Sequence, residues 1–274
     1  MKKWLLSLAL TASVGLLAAC GGEEAGSSES ESKEITIGAT AGPYSDMVTK
    51  ALKPGLEEKG YTVEVREFSD YIQPNNALAQ GDLDANLFQH KIYMETFAEQ
   101  NGLELSEVIS VPTAPMGIYS NKYDSLDAIE DGSTIAIPND PTNAARAFQI
   151  LQDAKLITLN SDSDPLTVSE KDVQENVKNL KFQPIEAAQL PRAVESTDLS
   201  AVPGNFALAA KMDLLDALQL ENMPDQYRNR VVMNTKDIES QLANDIKEVV
   251  ESDEFEAIID EEFKGFGKPE WMVE

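Results

Sequence analysis

From Glu34 onward, short β-branched apolar runs alternate with longer amphipathic stretches. Ile35 to Ala39 is short and apolar, which predicts a buried strand. Ser45 to Lys59 carries Met47, Val48, Ala51, Leu52 and Leu56 on one helical face, with Pro54 placed to kink the helix and Gly60 to stop it. The pattern then predicts a strand over Thr62 to Phe68, a helix over Pro74 to Gln80 closed by Gly81, a strand over Ala85 to Phe88 and a helix over Lys91 to Gln100. Further strands are expected at Thr134 to Ile137, Phe182 to Ile185, Leu199 to Val202 and Val231 to Met233. Asp140 followed by Pro141 is a helix start, an N-cap and then a proline at the first helical position. Two charged amphipathic helices, Lys236 to Val250 and Asp253 to Phe263, end the chain. Strands alternating with helices imply an α/β fold with largely parallel sheets. No period of solenoid length repeats.

The N-terminal pattern is different. Lys2 and Lys3 precede an apolar run from Trp4 to Leu17, and Leu17-Ala18-Ala19-Cys20 sets small residues against the only cysteine of the chain. This reads as a secretory signal over residues 1–19, and its last four residues resemble a bacterial lipobox. That resemblance implies cleavage before Cys20 and lipidation of its thiol. The run is short for a membrane span, which needs about 20 residues. A diacylglyceryl group meets the requirement of about two chains for stable anchoring. Residues 20–33 then form a Gly-, Ser- and Glu-rich tether, and residues 21–33 reach at most about 45 Å when extended. The expected location is the extracytoplasmic face of a cell membrane.

Formal charge is −26 for the whole chain, and loss of Lys2 and Lys3 with the signal makes it −28. So acidic a surface repels nucleic acid and argues against polybasic docking on anionic lipid. With Cys20 lipidated no thiol remains for disulfides, thiolate catalysis or cysteine-bound metal.

Enzyme signatures are missing from the sequence. There is one histidine, no G-x-S-x-G, no P-loop and no G-x-G-x-x-G. Asn160, Asp162 and Asp164 open like a calcium loop, but Pro165 and Lys171 stand where glycine and glutamate are needed. No metal or other cofactor is therefore expected.

What remains are aromatic and polar residues in unusual contexts: Ser69-Asp70-Tyr71 with Pro74-Asn75, then Asp84 to Lys91 with Tyr93, then Pro138-Asn139-Asp140-Pro141-Thr142-Asn143 with Arg146. These strings are similar to the NlpA family of lipoproteins over about Ile35 to Phe266. The resemblance implies a type 2 periplasmic-binding-protein-like fold, with two α/β lobes around a ligand cleft and two hinge crossings. It places residues 34–116 with 231–274 in lobe 1 and residues 117–230 in lobe 2, with hinge strands near Ile118 to Ser120 and Tyr227 to Val232. It implies a binding protein that is no enzyme. Such a protein captures L-methionine and delivers it to an ABC permease driven by a cytoplasmic ATPase.

The residue chemistry fits an amino-acid ligand. Arg146 lies in the first turns of the helix that begins at Pro141, so guanidinium and helix dipole act together on a carboxylate. Tyr71, Phe88 and Tyr93 suit a thioether, since each sulfur–aromatic contact is worth about 0.3–1.5 kcal/mol. By the family resemblance these aromatics and His90 surround the ligand side chain, and Asn205 and Asn229 meet its α-amino and carboxylate groups. An unusual Pro203 before Gly204, and Arg228 and Arg230 around Asn229, depart from the family pattern. Arg146→Ala or Asn229→Ala is expected to lower affinity with the fold intact. D-Methionine, a methionyl dipeptide or another apolar amino acid are the alternative ligands, and an enzyme or a surface interaction protein on the same scaffold the alternative classes.

Overall fold

The computed structural model describes residues 33–273, so the expected signal, Cys20 and nearly all of the expected tether lie outside the described residues. The chain forms, in order, β1 (Lys33–Thr40), α1 (Pro43–Met47), α2 (Lys53–Glu58), β2 (Tyr61–Phe68), α3 (Gln73–Gln80), β3 (Ala85–His90), α4 (Lys91–Asn101) and β4 (Leu105–Ser110). Then come β5 (Gly117–Tyr119), β6 (Thr134–Pro138), α5 (Pro141–Asp153), β7 (Ile157–Leu159), β8 (Val173–Asn176) and β9 (Lys181–Ile185). The remainder is α6 (Leu190–Ala193), β10 (Leu199–Val202), α7 (Gly204–Ala209), β11 (Gln219–Leu220), β12 (Asn229–Asn234), α8 (Gln241–Val250) and α9 (Asp253–Glu262).

Two five-stranded sheets result, in the orders β2-β1-β3-β12-β4 and β11-β5-β10-β6-β9. Each is parallel except for one strand. β12 runs antiparallel to β3 and β4, and β5 runs antiparallel to β10 and β11. Both are the first strands made after the chain passes from one sheet to the other, through 111–116 and 221–228. A parallel neighbour needs a crossover, usually helical, that returns the chain to the starting end of the sheet. A strand that arrives from the other lobe without one enters at the far end and runs backwards. The expected hinge residues Ile118 and Tyr119 therefore lie inside the second sheet, paired with Gln219, Ala201 and Ser200.

The first sheet is packed on one face by α1, α2, α8 and α9, with Ile37, Met47, Leu52, Leu56, Ile246 and Phe255 fully buried. The second packs Ile118 and Ile135 against Phe148 and Leu151 of α5. The helix expected over residues 45–59 starts at Pro43 instead, and a π-helical stretch, Val48–Leu52, precedes Pro54. The wide turn removes the clash that a proline ring makes with the carbonyl four residues back. The helix expected from Lys236 begins only at Gln241, where Ser240 caps it by accepting from the Ala243 N–H at 3.2 Å.

A third segment ties the two crossings together. Gly267 pairs with Thr113 through hydrogen bonds of 3.0 and 2.9 Å, and its carbonyl accepts from Arg228 Nη1. A Cβ at Gly267 would sit 2.7 Å from that nitrogen, so a side chain there would displace Arg228. No helix among the described residues is long and apolar enough to cross a membrane.

Candidate functional site

The parallel strands of both sheets aim their C-terminal ends at the gap between them, the usual ligand position in open α/β sheets. Side chains just beyond those ends line one cavity. Tyr44 follows β1, Tyr71 follows β2, and Phe88 and His90 close β3. Thr113 follows β4, Asn143 and Arg146 open α5 after β6, and Asn205 follows β10. The reversed β12 presents its first residue, Asn229, to the same place. All seven residues singled out as ligand contacts, Tyr71, Phe88, His90, Tyr93, Arg146, Asn205 and Asn229, are thus brought together. The enclosed volume is about 10 Å³, room for about one water. An amino acid enters only when the lobes part, as hinged lobes do.

One end is aromatic. The rings of Tyr71, Phe88 and Tyr93 stand 5.8, 5.8 and 6.1 Å apart, and Phe206 lies 5.0 Å from Tyr71. These are favourable tilted and edge-to-face spacings. Tyr93 donates from its hydroxyl to the Tyr71 carbonyl at 3.0 Å. Tyr71 reaches across the gap, donating to Asn205 Oδ1 at 2.7 Å. That leaves Asn205 Nδ2 buried with no protein acceptor. Behind this wall Asn75, Asn86 and Gln89 form a buried amide cluster, in which Asn75 and Gln89 exchange hydrogen bonds of 2.7 and 2.6 Å. It fixes the end of β3 against α3, and so the Phe88 and His90 side chains.

The other end is ionic. Arg146 is 5 % exposed and donates from Nε and Nη2 to both carboxylate oxygens of Glu221, the latter at 2.6 Å. Its Nη1 has only a long contact of 3.5 Å, to Asn143 Oδ1. Burial opposes the charge on Arg146, but the Glu221 carboxylate outweighs it and holds the guanidinium firmly protonated. Asp140 caps α5 as expected, accepting from the Asn143 N–H at 2.9 Å. This corrects one expectation: Arg146→Ala would strand Glu221 in the interior, and breaking a buried pair costs about 3–5 kcal/mol of stability.

His90 links the two ends. Its Nδ1 accepts from the Tyr93 N–H at 3.1 Å, so the neutral ring carries its proton on Nε2, which faces Asn143 Oδ1 at 3.2 Å. The Asn143 amide in turn donates to Asp140. Burial, with the nearby Arg146 charge, pushes His90 down to about 3.

Sequence reasoning missed Tyr44, Gln89, Thr113, Asn143, Phe206, Glu221 and Tyr227. Gln89 and Asn143 stood inside the quoted strings. Glu221 carried no local signal, being one of 48 acidic residues. The proline before Gly204 becomes the N-cap of α7. Gly204 is needed because a Cβ there would lie 2.4 Å from the Pro115 carbonyl oxygen, and that close approach seats Asn205 beside the crossing.

Residues 35–271 match the family described as NlpA lipoprotein. A probable D-methionine-binding lipoprotein MetQ of Vibrio cholerae is 33% identical over 272 residues, 98% of each chain. Among solved structures, a nutrient-binding protein from Burkholderia cenocepacia bound to methionine is 36% identical with a TM-score of 0.80, covering 84% of this chain and 97% of its own. A periplasmic substrate-binding protein of an ABC transporter from Coxiella burnetii is 32% identical with a TM-score of 0.80, covering 85% and 99%.

Because the chain has a single histidine, NMR reads His90 without assignment. A depressed pKa means the unfolded chain takes up a proton here that the folded one refuses. The stabilising effect is full above about 6.5 and is lost as pH falls toward 3. Long-range ¹⁵N spectra should show a neutral Nε2–H ring unchanged from pH 8 to 5, whereas titration near the ordinary 6.5 would contradict the buried assignment.

Proposed function

This chain belongs to the NlpA lipoprotein family, and we propose that it is the substrate-binding lipoprotein of an ABC importer, taking up methionine in the cleft between its lobes. The observation that carries the reading is the division of one cavity into an aromatic end and an ionic end. Tyr71, Phe88 and Tyr93 offer soft ring faces and edges to a thioether. Arg146 Nη1 and the unpartnered Asn205 Nδ2 offer donors to an α-carboxylate. Asn229 supplies an amide whose oxygen accepts from an ammonium. The protein binds and releases and does no chemistry on its ligand. Delivery is to a permease driven by a cytoplasmic ATPase.

L-Methionine is the expected ligand. The Vibrio cholerae relative, named for the D-enantiomer, favours D-methionine as a second reading. Calorimetry on the full chain in detergent, refolded to strip carried-over ligand, is to be run with L-methionine, D-methionine, leucine and glutamine. Tight binding of methionine and weak binding of leucine and glutamine is the expected result. Asn229→Ala should weaken methionine about 10–100-fold, the worth of about 1.5–3 kcal/mol for a hydrogen bond to a charged group. Its fold should persist, because the backbone of Asn229 is held by Thr113 Oγ1 at 2.8 Å. Unchanged affinity in Asn229→Ala would contradict this placement of the polar end.

The lipid anchor at Cys20 is part of the same proposal, motivated by the lipobox-like Leu17 to Cys20 string. The intact mass of the membrane-extracted chain should show a lipid adduct that Cys20→Ser lacks. A Cys20→Ser chain that stays on the membrane with the same adduct would refute it.

A further inference from the structure

Glu221 lies behind Arg146, not in the cleft. Arg146 borders both the ligand cavity and a second cavity of about 350 Å³, and Glu221 borders only the second. The two side chains are 6% and 4% exposed. The carboxylate is fully engaged: Oε1 accepts from Arg146 Nε, and Oε2 accepts from Arg146 Nη2 and from the Met116 N–H at 3.0 Å. The Glu221 N–H donates to the Met116 carbonyl at 2.9 Å. Glu221 is therefore locked to the first interlobe crossing and is not free to swing toward a ligand.

The other buried cation nearby, Arg230, pairs with Glu107 and Asp225 at 2.7 Å each, and Lys91, 2.6 Å from Glu107, supplies the second positive charge. Asp140 is only half-buried and caps a helix N-terminus, where negative charge is favoured. Among the described residues that line the ligand cavity, Arg146 is the one charged side chain, and Glu221 cancels it from behind, so the pair presents no net charge to a ligand. A zwitterion entering such a site adds no net charge. An anion of the same size adds an unmatched charge in a medium of low dielectric, and so does a cation.

We propose that Glu221 is a positioning and specificity-determining residue, which neutralises Arg146 from behind and thereby makes the cleft select net-neutral zwitterions over anionic and cationic analogues of the same shape. The proposal rests on the methionine reading above. It works by exclusion as much as by attraction, since a lone arginine would welcome any carboxylate.

The test uses three ligands of one shape on the full chain in detergent, at about pH 6, below the α-amino range of about 7.7–8.0: methionine, its α-hydroxy analogue 2-hydroxy-4-(methylthio)butanoate (net anionic), and methioninamide (net cationic). Wild type should bind methionine about 100-fold or more tighter than either analogue, because an uncompensated charge costs several kcal/mol in such a site. Comparable binding of the hydroxy acid by wild type overturns the proposal without any variant. Glu221→Gln keeps the shape and leaves Arg146 uncancelled. It should shift the hydroxy-acid-to-methionine affinity ratio at least about tenfold toward the anion, or about 1.4 kcal/mol, and weaken methioninamide further. Glu221→Asp, which keeps the charge, should keep the wild-type ratio. Equal loss for all three ligands in Glu221→Gln would mean that Glu221 only props the arginine, and the proposal falls. Wild type that binds none of the three would overturn the methionine reading and this inference with it. Wild type that binds methionine while Glu221→Gln leaves the ratio unchanged would overturn this inference alone.

Discussion

Arg146 has almost no contact with solvent, and a buried guanidinium must find a carboxylate or lose the solvation it gave up. Glu221 meets that demand, from a point 75 residues along the chain. The bond binds α5, the helix that opens the ligand site, to the strand-to-strand passage at Met116. Much of the site geometry follows. With two guanidinium nitrogens committed to Glu221, Nη1 is the donor left for a carboxylate, and Asn143 sits between Arg146 and His90. The ring of Tyr227 lies 5.5 Å under the guanidinium and 5.2 Å from His90, so the packing of the second crossing is coupled to the same pair.

The two-lobe design converts this local chemistry into capture. Each lobe carries half of the site: the aromatic trio and His90 come from the strand ends and helix beside the first sheet, and Arg146, Asn143 and Asn205 from helices α5 and α7 beside the second. Contacts such as Tyr71 to Asn205 and His90 to Asn143 form only across the gap. A ligand that engages both halves shifts the equilibrium toward closure by the difference in its contacts with the open and closed forms. The Gly267 bridge to Thr113 and Arg228 ties the two crossings to each other.

Much of this was legible in the sequence where the signal was local. Asp140-Pro141 marked the start of α5, and Ser252 caps α9 close to where the amphipathic pattern begins. The aromatics Tyr71, Phe88 and Tyr93 sit in or beside the short strings that carry the family resemblance, whereas Asn205 and Asn229 were marked out by that resemblance alone. The pairing of Arg146 with Glu221 was not legible, because an ion pair across the fold leaves no spacing in the chain and acidic residues are everywhere. The reversal of β5 and β12 was hidden for a related reason. Periodicity reports which residues are buried in a strand and says nothing of the end from which the strand is entered. Arg228 and Arg230 read only as departures around Asn229; in the fold one holds Gly267 and the other joins Glu107 to Asp225.

The central claim is that one cleft holds a thioether among Tyr71, Phe88 and Tyr93 and a carboxylate against Arg146. Selenomethionine tests it directly, as a ligand whose heavy atom marks the side-chain end. A crystal of the protein with ordinary methionines, grown with free selenomethionine, should show a single strong anomalous peak within van der Waals contact of the three rings. The carboxylate should lie at Arg146 Nη1. Selenium beside Arg146, or an anomalous peak outside the cleft with none inside it, would contradict the account.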